Sequence, residues 1–351
     1  MNPFGLLTEF AHEQLVISQD PGANYVGIVA IHDTTLGPAL GGTRLWNYAT
    51  LEDALVDALR LARGMTYKSA VAGLPLGGGK SVIIGDPARR DREACFRAHG
   101  RYVDTLGGRY ITAADVGTSS SDMELIHLET EHVAGLPGRS GDPSPGTGYG
   151  VYVAMKAAAK VRWGKDSLAG KRVAVQGAGK VAQYLARHLH EDGAKLLVTD
   201  VDAARVQRFV ADFGAEAVTP EAIYDVIADI YAPCALGATL NDQTIPRLKV
   251  EIICGGANNQ LAEPRHAAVV EKRGIFYTPD YVANGGGVIN ICREIEGWSE
   301  ERALDKAAGI YDTVQRVVEV AQREKVTTAQ AADRLAEERL GAVRALRAVR
   351  R

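Results

Sequence analysis

The chain contains 351 residues, which corresponds to about two domains of ordinary size. Apolar residues make up 46% and charged residues 24%, a globular composition that excludes disordered, collagen-like and low-complexity proteins. The net charge of −3 gives no overall electrostatic reason to bind nucleic acid or an anionic membrane, and no apolar run approaches the ~18 residues of a membrane span.

The first part of the chain alternates short strand and helix patterns. Residues 13–35 predict two strands, residues 37–42 a loop, and Thr50 the N-cap of a helix whose apolar positions recur at helical spacing. Residues 65–72 then predict a strand and residues 73–79 a Gly-rich loop. The remaining predictions are a strand at 81–84, a helix at 89–106, a strand at 110–114 and a helix from about Ser121.

Residues 135–148 are rich in Gly, Pro and Ser, and this composition predicts a domain boundary. Beyond it strands alternate with helices, including one at 242–249, a rhythm typical of a parallel sheet. The sequence therefore predicts an α/β protein of two domains separated by a cleft. The boundaries are 1–136 for a substrate and oligomerisation domain, 137–325 for a Rossmann-type domain and 326–351 for a helical tail. The tail returns to the first domain, joins subunits or presents a solvated face.

A dinucleotide-binding pattern follows the strand at 172–176. Gly177-Ala178-Gly179-Lys180-Val181-Ala182 has the G-x-G-x-x-A spacing, in which the glycines allow a tight turn and close approach of a pyrophosphate. The phosphates would lie at the N-terminus of the following helix. Asp200 ends the next strand at the distance expected for an acid that accepts the ribose hydroxyls, which favours NAD over NADP.

Two lysines and a carboxylate are candidates for chemistry. Lys68 lies near the end of the predicted strand at 65–72, Lys80 follows the Gly-rich loop, and Asp115 follows another strand. A phosphate-binding P-loop is excluded because the Gly required six residues before the Lys is missing. A second cation and partial burial both lower the pKa of a lysine, so that it can act as a base. The alternative is that these lysines are solvated surface charges.

Eight separated segments together resemble the Glu/Leu/Phe/Val amino-acid dehydrogenase family, most closely its leucine dehydrogenase members. The segments are GPALGGTRLW (37–46), MTYKSAVAGLPLGGGKSVIIGDP (65–87), AADVGTSSSDM (113–123), PSPGTGYGVY (143–152), VAVQGAGKVA (173–182), APCALGATLNDQTIP (232–246), GGANNQL (255–261) and TPDYVANGGGVIN (278–290). The resemblance covers both predicted domains and implies reversible oxidative deamination of an L-amino acid by NAD to a 2-oxo acid and ammonium.

The resemblance also implies roles for individual residues. Lys68, with backbone contacts from Gly41 and Gly42, would hold the substrate carboxylate, Lys80 would be the acid/base, and Asp115 would assist proton transfer at the nitrogen. The remaining implied contacts are Leu40, Ala113, Val288 and Ile291 for the substrate side chain, Asn258 and Asn284 for the nicotinamide or amino acid, Thr147 for the nicotinamide carboxamide, and Cys234 and Ala235 for the adenosine side of NAD.

Three positions depart from the family pattern. Ala114 replaces a common Glu, and Gly146 and Gly285 replace larger residues. The branched, bulky Val288 and Ile291 favour leucine, valine and isoleucine, and the alternatives are an aromatic amino-acid dehydrogenase or a catalytically silent NAD-binding regulator. A homo-oligomer is expected, and the family resemblance suggests an octamer. The N-terminus lacks a signal-peptide pattern and the four cysteines lack metal-site spacing, so we expect a cytoplasmic protein without a metal.

Overall fold

The chain folds into two units whose segments alternate along the sequence, and a computed structural model describes residues 3–349, with side chains for residues 4–346. The first unit comprises the chain up to Asp142, Ile291–Trp298 and the chain from Ala336 onwards, and the second comprises Pro143–Asn290 and Ser299–Leu335. This division differs from the predicted boundaries at 136 and 325. The last two residues of the predicted C-terminal helix, 350 and 351, lie outside the described residues.

The first unit is built on a five-stranded mixed sheet with the strand order β1-β2-β4-β3-β5. Strand β2 pairs antiparallel with β1 and β4, whereas β3 pairs parallel with β4 and β5. The strands are β1 (Gln14–Asp20), β2 (Tyr25–Asp33), β3 (Ala39–Trp46), β4 (Gly77–Ile84) and β5 (Tyr110–Ala114), and the helices are α1 (Pro3–Glu9), α2 (Leu51–Val71), α3 (Arg92–Asp104) and α4 (Ser120–His127).

The second unit is built on a six-stranded parallel sheet with the order β11-β10-β9-β6-β7-β8, which confirms the predicted α/β fold. The strands are β6 (Arg172–Gln176), β7 (Lys195–Thr199), β8 (Glu216–Ala217), β9 (Ile230–Pro233), β10 (Ile252–Ile253) and β11 (Phe276–Tyr277). Its helices are α5 (Ser144–Trp163), α6 (Lys180–Glu191), α7 (Ala203–Phe213), α8 (His266–Lys272), α9 (Asp280–Ala283), α11 (Glu300–Ala308) and α12 (Ile310–Glu324).

Helices α10 (Gly286–Glu296) and α13 (Thr328–Val349) each contain residues of both units. The predicted helix at 242–249 is wrong, because only the 3₁₀ turn Ile245–Arg247 forms there, with Pro246 near its start. A proline removes a backbone donor and clashes with the preceding turn of a longer helix. Among the described residues, no helix is both long and apolar enough to cross a membrane.

Helix α2 overturns the predicted strand at 65–72. Thr50 caps it as expected by accepting from the Asp53 N–H at 3.1 Å, but the helix continues through Gly64 to Val71. The buried side chains of the second half keep the helical spacing of the first half, so packing against the sheet outweighs the β-propensity of the segment. The buried positions are Ala54, Leu55, Ala58, Leu59, Ala62, Thr66, Tyr67, Ser69 and Ala70.

Gly41, Gly42 and Gly77–Gly79, which predicted loops, lie instead in strands β3 and β4, whereas Gly37 and Gly73 remain outside the strands. A Cβ on Gly78 would lie 2.0 Å from the Thr66 nitrogen of α2, and one on Gly41 would lie 1.8 Å from the Gly79 oxygen. Side chains at these positions would force the elements apart. The glycines therefore permit close packing of α2, β4 and β3 rather than a loop conformation.

We predict opposite effects for alanine at two glycines of this region. Gly78→Ala should destabilise the protein by about 3 kcal/mol or more, because its Cβ would overlap the Thr66 backbone. Gly64→Ala, on α2 with no atom within 4 Å of its new Cβ, should instead stabilise the protein by about 0.4–1 kcal/mol. Urea unfolding of both variants and the parent measures the difference, and equal midpoints for the two variants would contradict the packing argument.

Candidate active site

A buried lysine on the central strand of the first unit's sheet meets the carboxylate that follows strand β5. Lys80 lies on β4 with 5% of its surface exposed, and its Nζ donates to Oδ2 of Asp115, the residue that follows β5. Burial of a charge is costly unless the charge is paired and hydrogen bonded, and here the carboxylate meets that requirement. The two residues named as catalytic candidates are therefore brought together, and the alternative of a solvated surface charge does not apply to Lys80.

Arg44 extends this pair into a chain of alternating charges that the sequence did not predict. Its Nε donates to Asp115 Oδ2 at 3.2 Å, and its Nη1 donates to Oδ2 of Asp57 on α2 at 2.8 Å. The hydroxyl of Tyr48 also donates to Asp57, at 2.5 Å. Arg44 lies within the segment GPALGGTRLW, but its partners are remote in the chain, so no local pattern identifies its role.

The two cations determine the ionisation of Asp115. Burial by itself would raise the pKa of this carboxyl, but the opposing charges of Lys80 and Arg44 lower it to about 2. Asp115 is consequently anionic at neutral and alkaline pH. It can attract a cationic group and accept hydrogen bonds from it, but it is a weak proton acceptor.

Four further predicted substrate residues lie on the neighbouring strands. The register of β3 and β5 pairs Leu40 with Ile111 and Gly42 with Ala113. A Cβ on Gly42 would lie 2.8 Å from the Cβ of Asp115, so this glycine lies directly beside the carboxylate. Gly41, Gly42 and Ala113 are thus brought to the Lys80–Asp115 pair by strand register, and Leu40 is buried on the same strand.

Lys68 lies in the last turn of α2, not on a strand as the sequence suggested. Thr66 of this helix meets Gly78 of β4, and Lys68 and Lys80 each follow that contact by two residues. Lys68 is half-buried. The helix packing therefore holds both lysines on directly contacting elements.

The second unit carries the predicted turn between β6 and α6. Gly177 adopts a φ of +104°, a conformation that side chains rarely adopt, and a Cβ there would lie 2.9 Å from Ala235 Cβ. The next N–H, that of Ala178, donates to Asp200 Oδ2 at 2.7 Å, and the Asp202 N–H donates to Oδ1 at 2.9 Å. Each carboxylate oxygen keeps a lone pair for a ribose hydroxyl.

The N-terminus of α6 fits a pyrophosphate. Gly179 is its N-cap, no side chain caps the helix, and no atom lies within 4 Å of a Cβ built on Gly179. Open space above the first turn, where Lys180 and Val181 lie, is what a phosphate at a helix N-terminus requires. Cys234 accepts from the Gly256 N–H at 3.5 Å, and burial raises the pKa of its thiol to about 11, so this residue is a neutral wall of the site.

Two asparagines predicted to contact the nicotinamide or the substrate are hydrogen bonded to each other. Asn284 Nδ2 donates to Asn258 Oδ1 at 2.8 Å and to the Gly256 oxygen at 3.3 Å. The Asn284 Oδ1 atom is buried, and no hydrogen-bond partner for it lies among the side chains of residues 4–346 or the main chain of residues 3–349. An amide oxygen left in this state fits a donor supplied by a ligand, such as a carboxamide or an ammonium group.

Thr147 and the glycines that depart from the family pattern lie at another close contact within the second unit. The Thr147 hydroxyl donates to the Pro143 oxygen at 2.9 Å, and a Cβ on Gly287 would lie 2.4 Å from that hydroxyl. A Cβ on Gly146 would lie 2.8 Å from the Gly286 oxygen, so a larger residue has no space there. A Cβ on Gly285 has more room, at 3.3 Å from the Val282 oxygen.

The two remaining predicted pocket residues are both buried and belong to α10. Val288 lies in the part of α10 that belongs to the second unit. Ile291 lies in the part that belongs to the first unit, where its Cδ1 is 3.6 Å from a Cβ built on Gly135. Their contact with a substrate side chain stays a prediction.

Within the described residues, one group of possible metal ligands occurs, in the second unit: Asp242, Glu263 and His266. Arg265 already pairs with both carboxylates, at 2.5 Å to Asp242 and 2.9 Å to Glu263. Arg265 therefore offsets one of the two negative charges and occupies an oxygen of each carboxylate, and nothing in the described part of the chain favours a metal over this arginine.

Comparison with known families matches both units. Residues 10–132 match the family described as Glu/Leu/Phe/Val dehydrogenase, dimerisation domain, and residues 138–206 and 197–347 match Glutamate/Leucine/Phenylalanine/Valine dehydrogenase. The chain is 58% identical over 347 residues to the leucine dehydrogenase of Bacillus subtilis (strain 168), a match that covers 98% of this chain and 95% of the relative.

More distant relatives share the fold and differ in the substrates that they are named for. The L-tryptophan dehydrogenase of Nostoc punctiforme is 48% identical over 338 residues, 96% of each chain. Its crystal structure superposes with a TM-score of 0.85, covering 97% of this chain and 99% of that one at 46% identity. The hetero-hexameric glutamate dehydrogenase of Thermus thermophilus gives a TM-score of 0.78 at 25% identity, with 98% and 92% coverage.

The charge of Asp115 should make stability depend on pH in a defined window. Asp115→Asn should unfold more easily than the parent at pH 7, because Lys80 and Arg44 lose their shared anion. Since the pKa of Asp115 in the folded protein, about 2, lies below its ordinary value of 3.8, the carboxylate stabilises the fold above about pH 4. That contribution disappears as the pH falls through about 2.

Urea unfolding of parent and variant over a pH series measures this difference. The difference in free energy of unfolding should be constant from pH 7 to about 4 and should shrink at lower pH. A difference that stays unchanged at low pH would mean that the charge of Asp115 does not stabilise the fold.

Proposed function

The chain belongs to the Glu/Leu/Phe/Val dehydrogenase family, and we propose that it catalyses the reversible, NAD-dependent oxidative deamination of branched-chain L-amino acids. The products are the 2-oxo acid, ammonium and NADH. The observation that carries the proposal is the buried Lys80–Asp115 pair, which lies beside the strand glycine Gly42. The 58% identity to a leucine dehydrogenase supports the substrate class.

The substrate carboxylate needs a fixed cation and backbone donors. We assign these roles to Lys68 and to Gly41 and Gly42, as the family resemblance implies. Lys68 belongs to helix α2, which packs directly on β4, so the backbone position from which its side chain extends is fixed. A site that holds the carboxylate firmly orients Cα for the redox step.

Asp115 and Lys80 have different roles at the substrate nitrogen: Asp115 binds it and Lys80 exchanges protons. Asp115 stays anionic, so it attracts the substrate ammonium and accepts its hydrogen bonds. Lys80 Nζ, held by the same carboxylate, is the group that exchanges protons. The substrate ammonium must first lose a proton, so that its lone pair can form the protonated imine as the Cα hydride leaves. Lys80 Nζ, as the free amine, then takes a proton from the water that adds to this imine and returns it to the nitrogen of the carbinolamine. The carbinolamine hydroxyl loses its proton as the C–N bond breaks, which gives the 2-oxo acid and ammonium.

The second unit would hold NAD through the turn at Gly177 to Gly179, the first turn of α6 with Lys180 and Val181, and Asp200. We place Thr147, Asn258 and Asn284 at its nicotinamide end and Cys234 and Ala235 at its adenosine end. When bound, NAD supplies the hydride acceptor for the Cα hydrogen. Asp200 would repel the 2′-phosphate of NADP. The nearby Arg205 pairs with Asp202 at 3.1 Å, so its charge is already engaged.

The substrate side chain would contact Leu40, Ala113, Val288 and Ile291. All four residues are apolar and buried, so a charged side chain would lose hydration there without gaining a partner. Branched Val288 and Ile291 narrow the space for a phenyl or indole ring. An aromatic substrate is the second candidate, because a relative at 48% identity is named for tryptophan.

We further propose a homo-oligomer located in the cytoplasm. The first unit matches a domain described as a dimerisation domain, which supports self-association. All four cysteines are free thiols, as is usual for proteins of a reducing compartment. An octamer, suggested by the family resemblance, is the state to test by light scattering.

A panel of L-amino acids with NAD and NADP, followed by NADH absorbance at alkaline pH, tests the proposed reaction. Leucine, valine and isoleucine should give the highest kcat/KM, and NADP should be a much poorer cofactor than NAD. Higher kcat/KM for tryptophan or phenylalanine would replace the branched-chain assignment by the aromatic one. Absence of turnover with every amino acid would refute the reaction.

Lys80→Ala should lose activity without losing NAD binding. Removal of a general acid–base group costs about 10²–10⁴-fold in turnover. Lys165→Ala is the matched control, because Lys165 is exposed in the second unit. Turnover of the Lys80 variant within about threefold of the parent, far short of that loss, would remove Lys80 from the mechanism.

Ala113→Gly combined with Val288→Ala should shift preference toward aromatic amino acids. The two changes remove methyl groups from the proposed pocket, and each such difference is worth about 1–3 kcal/mol in discrimination. The ratio of kcat/KM for phenylalanine to that for leucine should therefore rise. An unchanged ratio in a folded double variant would show that these residues do not contact the substrate side chain.

A further inference from the structure

The last described helix of the chain carries an arginine whose described hydrogen bonds all go to main-chain oxygens of residues 69–74. Arg339, on the part of α13 that belongs to the first unit, donates through Nη1 to the Ala70 oxygen at 2.8 Å. The same Nη1 approaches the Ser69 oxygen at 3.5 Å, and Nη2 donates to the Leu74 oxygen at 2.9 Å.

This pattern is unlike that of a surface arginine. No carboxylate lies within ion-pair distance of Arg339 among residues 4–346, and the guanidinium is partly buried. Burial lowers its pKa from the ordinary arginine value. A buried cation without a counter-ion is unfavourable unless a partial negative charge replaces it, and the carbonyl end of a helix supplies such a charge.

The carbonyls that Arg339 binds belong to residues that closely follow Lys68, the predicted carboxylate-binding residue, in the chain. Ser69 and Ala70 directly follow Lys68 in the last turn of α2. Leu74 lies on the short segment that connects this turn to β4, on which Lys80 lies. The N–H groups of Gly73 and Leu74 already donate to the Ala70 and Ser69 oxygens, so Arg339 adds a second donor to these carbonyls and also binds the Leu74 oxygen. Arg339 therefore links the last turn of α2, which carries Lys68, to the segment that leads into β4, the strand that carries Lys80.

A second contact of α13 reaches the residue that precedes Lys68 on α2. The hydroxyl of Tyr67, the residue before Lys68, donates to Oε1 of Glu337 at 2.8 Å. By contrast, Arg344, one and a half turns further along α13, binds Asp33 and Thr35 near the end of β2. Among the hydrogen bonds described for α13, those of Glu337 and Arg339 reach the end of α2 that carries Lys68.

We infer that Arg339 is a positioning residue of the amino-acid site, which fixes Lys68 by capping the last turn of α2 from the C-terminal helix. This inference rests on the proposed function, because it takes Lys68 as the group that holds the substrate carboxylate. It means that the site requires residues from the end of the chain. Loss of Arg339 should affect the binding of amino acid and 2-oxo acid more than that of NAD.

Steady-state kinetics of the full-length Arg339→Ala and Arg339→Lys proteins test the inference. KM for leucine should rise about tenfold in Arg339→Ala, as expected for lost ground-state binding, while KM for NAD changes less than about twofold. Guanidinium at millimolar concentration, far below denaturing levels, should restore part of the leucine affinity, whereas urea should not. Lysine should restore less than arginine because it lacks the forked donors.

Two arginines of the same helix provide matched controls. Arg334→Ala removes a residue that pairs with Glu324 in the second unit. Arg344→Ala weakens the attachment of α13 without touching α2. Both should leave KM for leucine near the parent value. An equal rise of KM in Arg344→Ala would assign the effect to helix attachment in general and would overturn the specific role of Arg339.

Hydrogen exchange gives a readout that needs no activity. The N–H groups of Ala72, Gly73 and Leu74 donate to Lys68, Ala70 and Ser69, and their exchange should quicken in Arg339→Ala while the rest of the first unit is unchanged. Unchanged exchange there, or unchanged KM for leucine, would overturn the inference. A parent protein that oxidises no amino acid would refute the proposed function instead, and the exchange data would still decide whether Arg339 orders the turn.

Discussion

The amino-acid site depends on a steric constraint at the centre of the first unit. Helix α2 and strands β4 and β3 approach so closely that their backbones touch where Gly78 meets Thr66 and Gly41 meets Gly79. Any side chain at these glycines would separate the elements. This close packing holds helix α2, which carries Lys68, against strand β4, which carries Lys80. Glycine in a strand interior weakens the strand because it packs no side chain. These glycines therefore contribute by allowing α2, β4 and β3 to approach closely, and not by stabilising the strands.

Close packing also removes charges from water, and the chain of charges from Lys80 to Asp57 is the consequence. Asp115 receives both Lys80 and Arg44, so a buried cation is balanced and an anion is fixed in place. Behind it, the side chains of Thr43 and Ser81 are hydrogen bonded at 2.7 Å, and each adjoins a site residue. Groups held in this way need no reorganisation when a substrate charge arrives, which is the usual basis of electrostatic catalysis.

The proposed binding sites of the two units are formed in different ways. The second unit relies on backbone geometry within a short stretch: a positive φ at Gly177, an uncapped helix start at Gly179 and a carboxylate one strand away. The first unit relies on side chains gathered from remote elements, including Arg339 from the last helix. The turn at Gly177 should therefore tolerate substitutions elsewhere in the chain. The site around Lys80 and Asp115 should be sensitive to substitutions in every element that contributes a side chain to it.

The sequence alone determined the fold class, the order of most elements and the strand-turn-helix at Gly177, because these features arise from interactions among residues close in the chain. It also indicated Lys80 and Asp115. Only the tertiary structure decided that residues 65–71 are helical and that the glycines before Lys80 lie in a strand, since packing between remote elements overrides local propensity. The partners of Arg44 and Arg339 were likewise undetermined, because hydrogen bonds between distant segments leave no periodic pattern in the sequence.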